Sequence, residues 1–198
     1  MRLLLIRHGE TDWNKEKRIQ GREDIPLNET GILQAINCGK GLQGGKFAAI
    51  ISSPLDRARK TAEIIGEAVD INKLIIDDDL IERDFDRISG MTYKERREFD
   101  ASGQIDNRET REALSERMIR SILKHGKEFY DKDIIFVSHG AAIRSVIDEY
   151  TDGELTRNKI ILKNAYISIL YYDEKSIRMG PYNLSGEEYR EKMELDNR

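Results

Sequence analysis

The sequence predicts an α/β fold: a three-layer α/β/α sandwich on a mostly parallel central sheet. Three observations carry this. Short apolar runs at 3–6, 47–51 and 134–137 have the length and composition of buried strands. They alternate with longer segments of helical period, the order of a parallel sheet with helices on both faces. Two of them, 3–6 and 134–137, pass through one further residue into a His-Gly pair, His8-Gly9 and His139-Gly140. In open α/β sheets, sites form beyond the carboxyl ends of strands. If these two strands are neighbours, the two histidines meet there.

The elements follow in order. Residues 29–43 read as a helix, with Ile32, Leu33, Ala35, Ile36 and Leu42 among its apolar positions and Gly44-Gly45 ending it. Strand 47–51 leads to Ser53-Pro54, a helix-opening pair for 53–69, with Ser53 as its cap. A short strand is expected at 74–76 and a helix at 92–100. Residues 109–130 give a long helix with Leu114, Met118, Ile119, Ile122 and Phe129 near helical spacing. Strand 134–137 is followed by a helix at 141–150, then a late strand at 165–172. The charged segment 184–198 reads as helical or frayed. There is no internal repeat, no low-complexity linker and only three prolines, so residues 1–198 are expected to form a single domain.

The net charge of -4 argues against a general nucleic-acid binder but leaves room for a local basic pocket. The single cysteine, Cys38, excludes an internal disulfide framework. The run 3–6 is far too short for a signal peptide or a membrane span. These readings lead us to expect a cytoplasmic protein without nucleic-acid or membrane partners. Asp77-Asp78-Asp79 reads as a solvated acidic turn, and His125, in a Lys-rich helical stretch, as an exposed helix residue. No His or Cys set has metal-ligand spacing, so no metal is expected.

Four ordered blocks resemble the histidine phosphatase superfamily, which includes cofactor-dependent phosphoglycerate mutases and many small phosphatases. The first is Leu5-Ile6-Arg7-His8-Gly9-Glu10-Thr11 with Asn14, Gln20-Gly21, Asp24, Pro26-Leu27, Gly31 and Gln34-Ala35. The second is Ser52-Ser53-Pro54-Leu55-Asp56-Arg57-Ala58 with Thr61-Ala62. The third is Leu80-Ile81-Glu82-Arg83-Asp84-Phe85 followed by Gly90, and the fourth is Val137-Ser138-His139-Gly140 with Ile143-Arg144. Together they span roughly residues 3–170 and imply a phosphoglycerate mutase-like fold. The chain departs from the family at Asp86, where Gly is usual. Asp tolerates unusual backbone angles, but a carboxylate close to a phosphate would repel it.

The resemblance, with the chemistry of phosphoryl transfer, assigns roles. A phosphate monoester is dianionic and needs positioning and charge stabilisation. Arg7 and Arg57 are the expected phosphate clamp, since guanidinium offers bidentate contacts and stays charged. His8 is the nucleophile, forming a phosphohistidine while its other nitrogen donates to a backbone carbonyl. His139 stabilises the transferring phosphoryl group. Glu82 is the general acid for the leaving group and the base for water, a role that requires it to hold a proton when substrate arrives. Asn14, Gln20, Gly21 and Gly140 are substrate-binding candidates. The expected partner is a small phosphorylated metabolite.

The first reading is a metal-independent phosphatase acting on small phosphate monoesters. The alternative is a cofactor-dependent phosphoglycerate mutase, primed by 2,3-bisphosphoglycerate; the phosphatase itself needs no cofactor. The stretch from Glu82 to His139 is short against the insertions the resemblance implies for mutases, whereas Glu82-Arg83 and Phe85 look mutase-like. A third reading is a catalytically weak phosphate-binding regulatory module. The co-occurrence of Arg7, His8, Arg57, Glu82 and His139 speaks against it.

Overall fold

In the computed structural model, which describes residues 1–196, six strands form one sheet in the order β3-β2-β4-β1-β5-β6. Strands β1 (Arg2–Arg7), β2 (Phe47–Ser52), β3 (Leu74–Ile76) and β4 (Asp133–Ser138) are mutually parallel. Strand β5 (Ile167–Asp173) runs antiparallel to β1, and β6 (Ser176–Met179) antiparallel to β5. Eight α-helices accompany them among the described residues: α1 (Asp12–Lys15), α2 (Glu29–Leu42), α3 (Asp56–Ala68), α4 (Tyr93–Ala101), α5 (Arg111–Glu128), α6 (Gly140–Glu149), α7 (Glu154–Arg157) and α8 (Gly186–Asp196).

Residue alternation in the strands assigns the two faces. Leu3, Leu5, Ile51, Ile134 and Phe136 pack with Leu114, Met118 and Ile122 of α5 and Ile143, Val146 and Ile147 of α6. Leu4, Ile6, Ile50, Ile135 and Val137 pack with Cys38 and Leu42 of α2, Ala58, Ala62 and Ile65 of α3 and Tyr189 of α8. Both faces are therefore covered, which is why the central strands read as unbroken apolar runs rather than alternating ones. This is the predicted sandwich. Truncating a fully buried residue of β1, such as Leu4→Ala, is expected to cost about 2–5 kcal/mol.

Three short elements escaped the sequence reading: α1, α7 and the edge strand β6. Each has four residues, too few to display a period. On α2, Ile32 and Leu33 stand 39% and 60% exposed, and the buried stripe is instead Gly31, Ala35, Cys38, Gly39, Gly41 and Leu42. Small residues lie there because α2 approaches its neighbours closely: a Cβ at Gly41 would stand 2.3 Å from backbone atoms of Gly186, and one at Gly39 2.7 Å from the Ala68 side chain. No helix among the described residues is long and apolar enough to cross a membrane.

Two expectations are corrected. His125 is not exposed. It is 1% exposed in α5, with Nε2 2.8 Å from Asp77 Oδ2 and Nδ1 3.2 Å from Glu128 Oε2. Nor is 77–79 simply a solvated turn. Asp77 is buried, caps a 3₁₀ turn through the Asp79 N–H at 3.0 Å and accepts from Ser121 at 3.0 Å. Burial opposes its charge, but the Asp79 N–H, His125, Ser121 and Lys124 together hold the carboxyl below its ordinary range. The partners come from α5, more than forty residues downstream, so no local pattern could reveal them.

Candidate active site

Parallel pairing of β1 with β4 sets Arg7 opposite Ser138. The residues that follow, His8 and His139, therefore leave the sheet side by side, with ring centroids 5.2 Å apart. The His8 N–H continues the ladder onto Ser138 O at 2.9 Å. Close packing holds the turn after β1. A Cβ on Gly9 would meet Gly31 O at 2.3 Å, and one on Gly31 would meet Glu10 O at 2.1 Å, so both positions exclude a side chain. The Gly9 N–H donates to Thr61 Oγ1, whose hydroxyl donates to Arg57 O.

His8 is 2% exposed. Its Nδ1 lies 2.6 Å from Gly9 O, an oxygen that can only accept, so this nitrogen carries the proton and Nε2 carries the lone pair. Burial above all, with Arg57 and Arg7 nearby, pushes the His8 imidazolium well below its ordinary 6.5. A neutral imidazole with a free lone pair is the form a nucleophile requires.

Arg57, on the first turn of α3, is fully buried. Its Nε donates toward His8 Nε2 at 3.3 Å, Nη1 donates to Glu23 O at 2.6 Å and Nη2 to Gly21 O at 2.8 Å. The loop around Gly21, which has φ of 54°, thus grips the guanidinium by carbonyls. Burial lowers Arg57 to about 10, still charged at neutral pH. Helix α3 starts later than expected, at Asp56, and Ser53 is not its cap. Asp24 provides a cap from a distance, its carboxylate accepting the Asp56 N–H at 2.8 Å. The Ser53 hydroxyl instead lies 2.7 Å from His139 Nε2.

Arg7 donates from Nη1 to Leu162 O at 2.5 Å, while its Nε is buried without a partner. A Cβ on Gly140 would stand 3.3 Å from that Nε, so glycine there keeps room for the guanidinium. His139 is fully buried. Burial first, then Arg57, His8 and Arg7, pushes it well below 6.5.

Glu82 sits at the N-terminus of α6. It accepts N–H groups from Ala141 at 3.1 Å, Ala142 at 3.0 Å and Arg83 at 2.8 Å. A helix N-terminus attracts a carboxylate in this way. The segment carrying Glu82 is held from behind by Arg117 of α5. All five guanidinium N–H groups of Arg117 are used: three on the carbonyls of Asp79, Ile81 and Glu82, two on the carboxylate of Glu109.

A cavity of about 610 Å³ joins these parts, lined by Arg7, His8, Asn14, Gln20, Gly21, Arg57, Glu82 and Gly140 among others. Of the sequence-predicted site residues only His139 is absent from its wall; it lies against the His8 ring and Ser53. Asn14 spends its Oδ1 on the Thr11 N–H and on Asn164 Nδ2. Asn164, which the sequence did not single out, also donates to His8 O. The outer wall adds Arg83, Arg96 and Arg111. Burial first, then neighbouring Arg111, Arg108 and Arg96, lowers Arg83 below the usual arginine range. Asp86 takes a left-handed backbone with φ of 45°, the conformation that favours glycine. Its carboxylate accepts the Asn107 N–H at 2.8 Å, and Asp86 does not line the cavity.

Comparison with known proteins identifies the family. Residues 3–185 match the sequence profile of the histidine phosphatase superfamily (branch 1). An uncharacterized phosphatase PhoE of Bacillus subtilis (strain 168) is 36% identical over 183 residues, covering 92% of this chain and 94% of that protein. A probable phosphoglycerate mutase GpmB of Salmonella arizonae is 32% identical over 186 residues, covering 88% of this chain and 86% of that protein. The solved structure of YhfR from Bacillus stearothermophilus superposes with a TM-score of 0.84 at 25% identity, covering 92% of this chain and 96% of that one. The profile, the relatives and the shared fold together place this chain in the histidine phosphatase superfamily.

Proposed function

We propose that the chain is a metal-independent phosphatase that hydrolyses small phosphate monoesters through a phosphohistidine on His8. The observation that carries this is the His8 ring: Nδ1 pinned to Gly9 O, Nε2 unprotonated and adjacent to the buried Arg57. Likeness to PhoE supports the phosphatase reading.

In the first step His8 Nε2 attacks phosphorus, the P–N bond forms and the bond to the ester oxygen breaks. Arg7 and Arg57 hold the phosphoryl oxygens, with Arg57 Nε turning from His8 Nε2 to one of them. Glu82 gives its proton to the leaving oxygen. Its resting partners are three donors, so the proton must come with the substrate or from solvent. In the second step Glu82 takes a proton from water, the hydroxide oxygen attacks phosphorus and the P–N bond breaks. His139, beside the His8 ring, stabilises the phosphoryl group during transfer. Arg83, Arg96 and Arg111 on the outer wall suit a substrate with a second anionic group.

The second reading, a cofactor-dependent phosphoglycerate mutase, is favoured by the likeness to GpmB. One assay separates them: turnover of p-nitrophenyl phosphate and of 3-phosphoglycerate with chelator present, the latter primed with 2,3-bisphosphoglycerate. Phosphate release that is lost in His8→Ala supports the phosphatase. Conversion of 3- to 2-phosphoglycerate with little phosphate release overturns it in favour of the mutase.

A further inference from the structure

We infer that Ser53 is a positioning residue that fixes His139 as the Nδ1–H tautomer, so that an N–H rather than a lone pair is presented by the otherwise unpartnered nitrogen. Ser53 Oγ and His139 are both fully buried, and Oγ lies 2.7 Å from His139 Nε2. One hydrogen lies between them, and the surroundings decide whose it is. Ser53 Oγ also accepts the Leu55 N–H at 3.3 Å. The neighbouring Ser52 hydroxyl is turned away and donates to Ser53 O. Among the described residues the acceptor within reach of the Ser53 hydroxyl hydrogen is His139 Nε2.

If Nε2 carried the hydrogen, two donors would converge on Ser53 Oγ. Its own hydrogen would be stranded, and Nδ1 would be a stranded acceptor. Each buried unsatisfied polar group is destabilising. With the hydroxyl donating to Nε2, the buried and unpartnered Nδ1 carries an N–H and is the one group left unpaired. A second buried donor, Arg7 Nε, is unpartnered at the end of the adjacent strand. Two unpaired donors on neighbouring strand ends suit an anion. Their use in phosphoryl transfer rests on the function proposed above; the tautomer does not.

The test is long-range ¹H–¹⁵N NMR of the imidazoles in the full-length, uniformly ¹⁵N-labelled protein at pH 7.5. The His139 resonances are assigned by their loss in His139→Gln. The expected spectrum shows a protonated nitrogen at Nδ1 and an unprotonated one at Nε2. In Ser53→Ala the tautomers mix, and kcat falls roughly tenfold with KM little changed. That is less than the ~10²–10³ that follows complete loss of a transition-state donor. Ser53→Thr, which keeps the hydroxyl, restores the wild-type spectrum. A wild-type His139 protonated at Nε2 overturns the inference even if no variant folds. An unaltered Nδ1–H tautomer in Ser53→Ala removes Ser53 from the role. Absence of turnover with the expected spectrum would count against the proposed function alone.

Discussion

Arg57 donates its Nε–H toward Nε2 of His8 at 3.3 Å, so the proposed phosphate-binding cation rests on the proposed nucleophile. The contact keeps Nε2 unprotonated, because two donors cannot face one another across it. It also links the electrostatics of the site to the stability of the fold.

That link gives a pH prediction. Burial first, then Arg57 and Arg7, depresses His8; burial first, then Arg57, His8 and Arg7, depresses His139. Below the ordinary 6.5, the unfolded chain binds protons at both rings that the folded chain refuses. Stability is therefore complete above pH 6.5 and is lost as pH falls toward the depressed folded values, by up to about 1.4 kcal/mol per pH unit per ring. Melting temperatures measured from pH 8 to pH 5 should fall less steeply in His8→Gln than in the wild type. Equal slopes would contradict this.

Glu82→Gln keeps the size of the side chain and removes its acid. The loss in kcat should be about 10²–10⁴-fold for alkyl phosphates and much smaller for p-nitrophenyl phosphate, whose leaving group needs no proton. A leaving-group series measures this, and parallel losses across it would exclude acid catalysis by Glu82.

Arg117 and Glu109 form one unit, with the Arg117 Nε 2.6 Å from Glu109 Oε1 and side chains 11% and 12% exposed. Removing either partner breaks this pair but leaves Glu109 near Arg22 at 3.8 Å and Arg117 on its three carbonyls, and should cost about 1.5–3 kcal/mol in urea unfolding. The double variant should cost well under the sum of the singles. An additive result would mean that the two act separately on segment 79–84.

Gly140→Ala is expected to fold with little loss of stability but to crowd Arg7, whose Nε lies 3.3 Å from the new Cβ. KM for p-nitrophenyl phosphate should rise by roughly tenfold, as for loss of about 1.4 kcal/mol of binding. Unchanged kinetics would show that Arg7 has room to spare.

Much of this site was legible in the sequence because its main parts sit where strands end. The apolar runs before His8 and His139 marked buried strands, and neighbouring parallel strands must bring their ends together. Arg57 was legible only through its block, since nothing local marks an arginine as buried. What stayed hidden depends on contacts across the fold. His125 looked exposed beside lysines because its carboxylate partner, Asp77, lies 48 residues away. Ser53 looked like a cap because Ser-Pro often opens a helix, yet Asp24 took that task and freed its hydroxyl for His139. Asn164 follows no motif; the chain folds back and places it against His8 O and Asn14.

The most direct test of the central claim is a rapid-quench single turnover with a ³²P-labelled phosphomonoester in the presence of chelator. The account predicts a transient, acid-labile and alkali-stable phosphoryl-enzyme, mapped to His8 and missing in His8→Ala. Full turnover with no such species, or with the label on another residue, would contradict it.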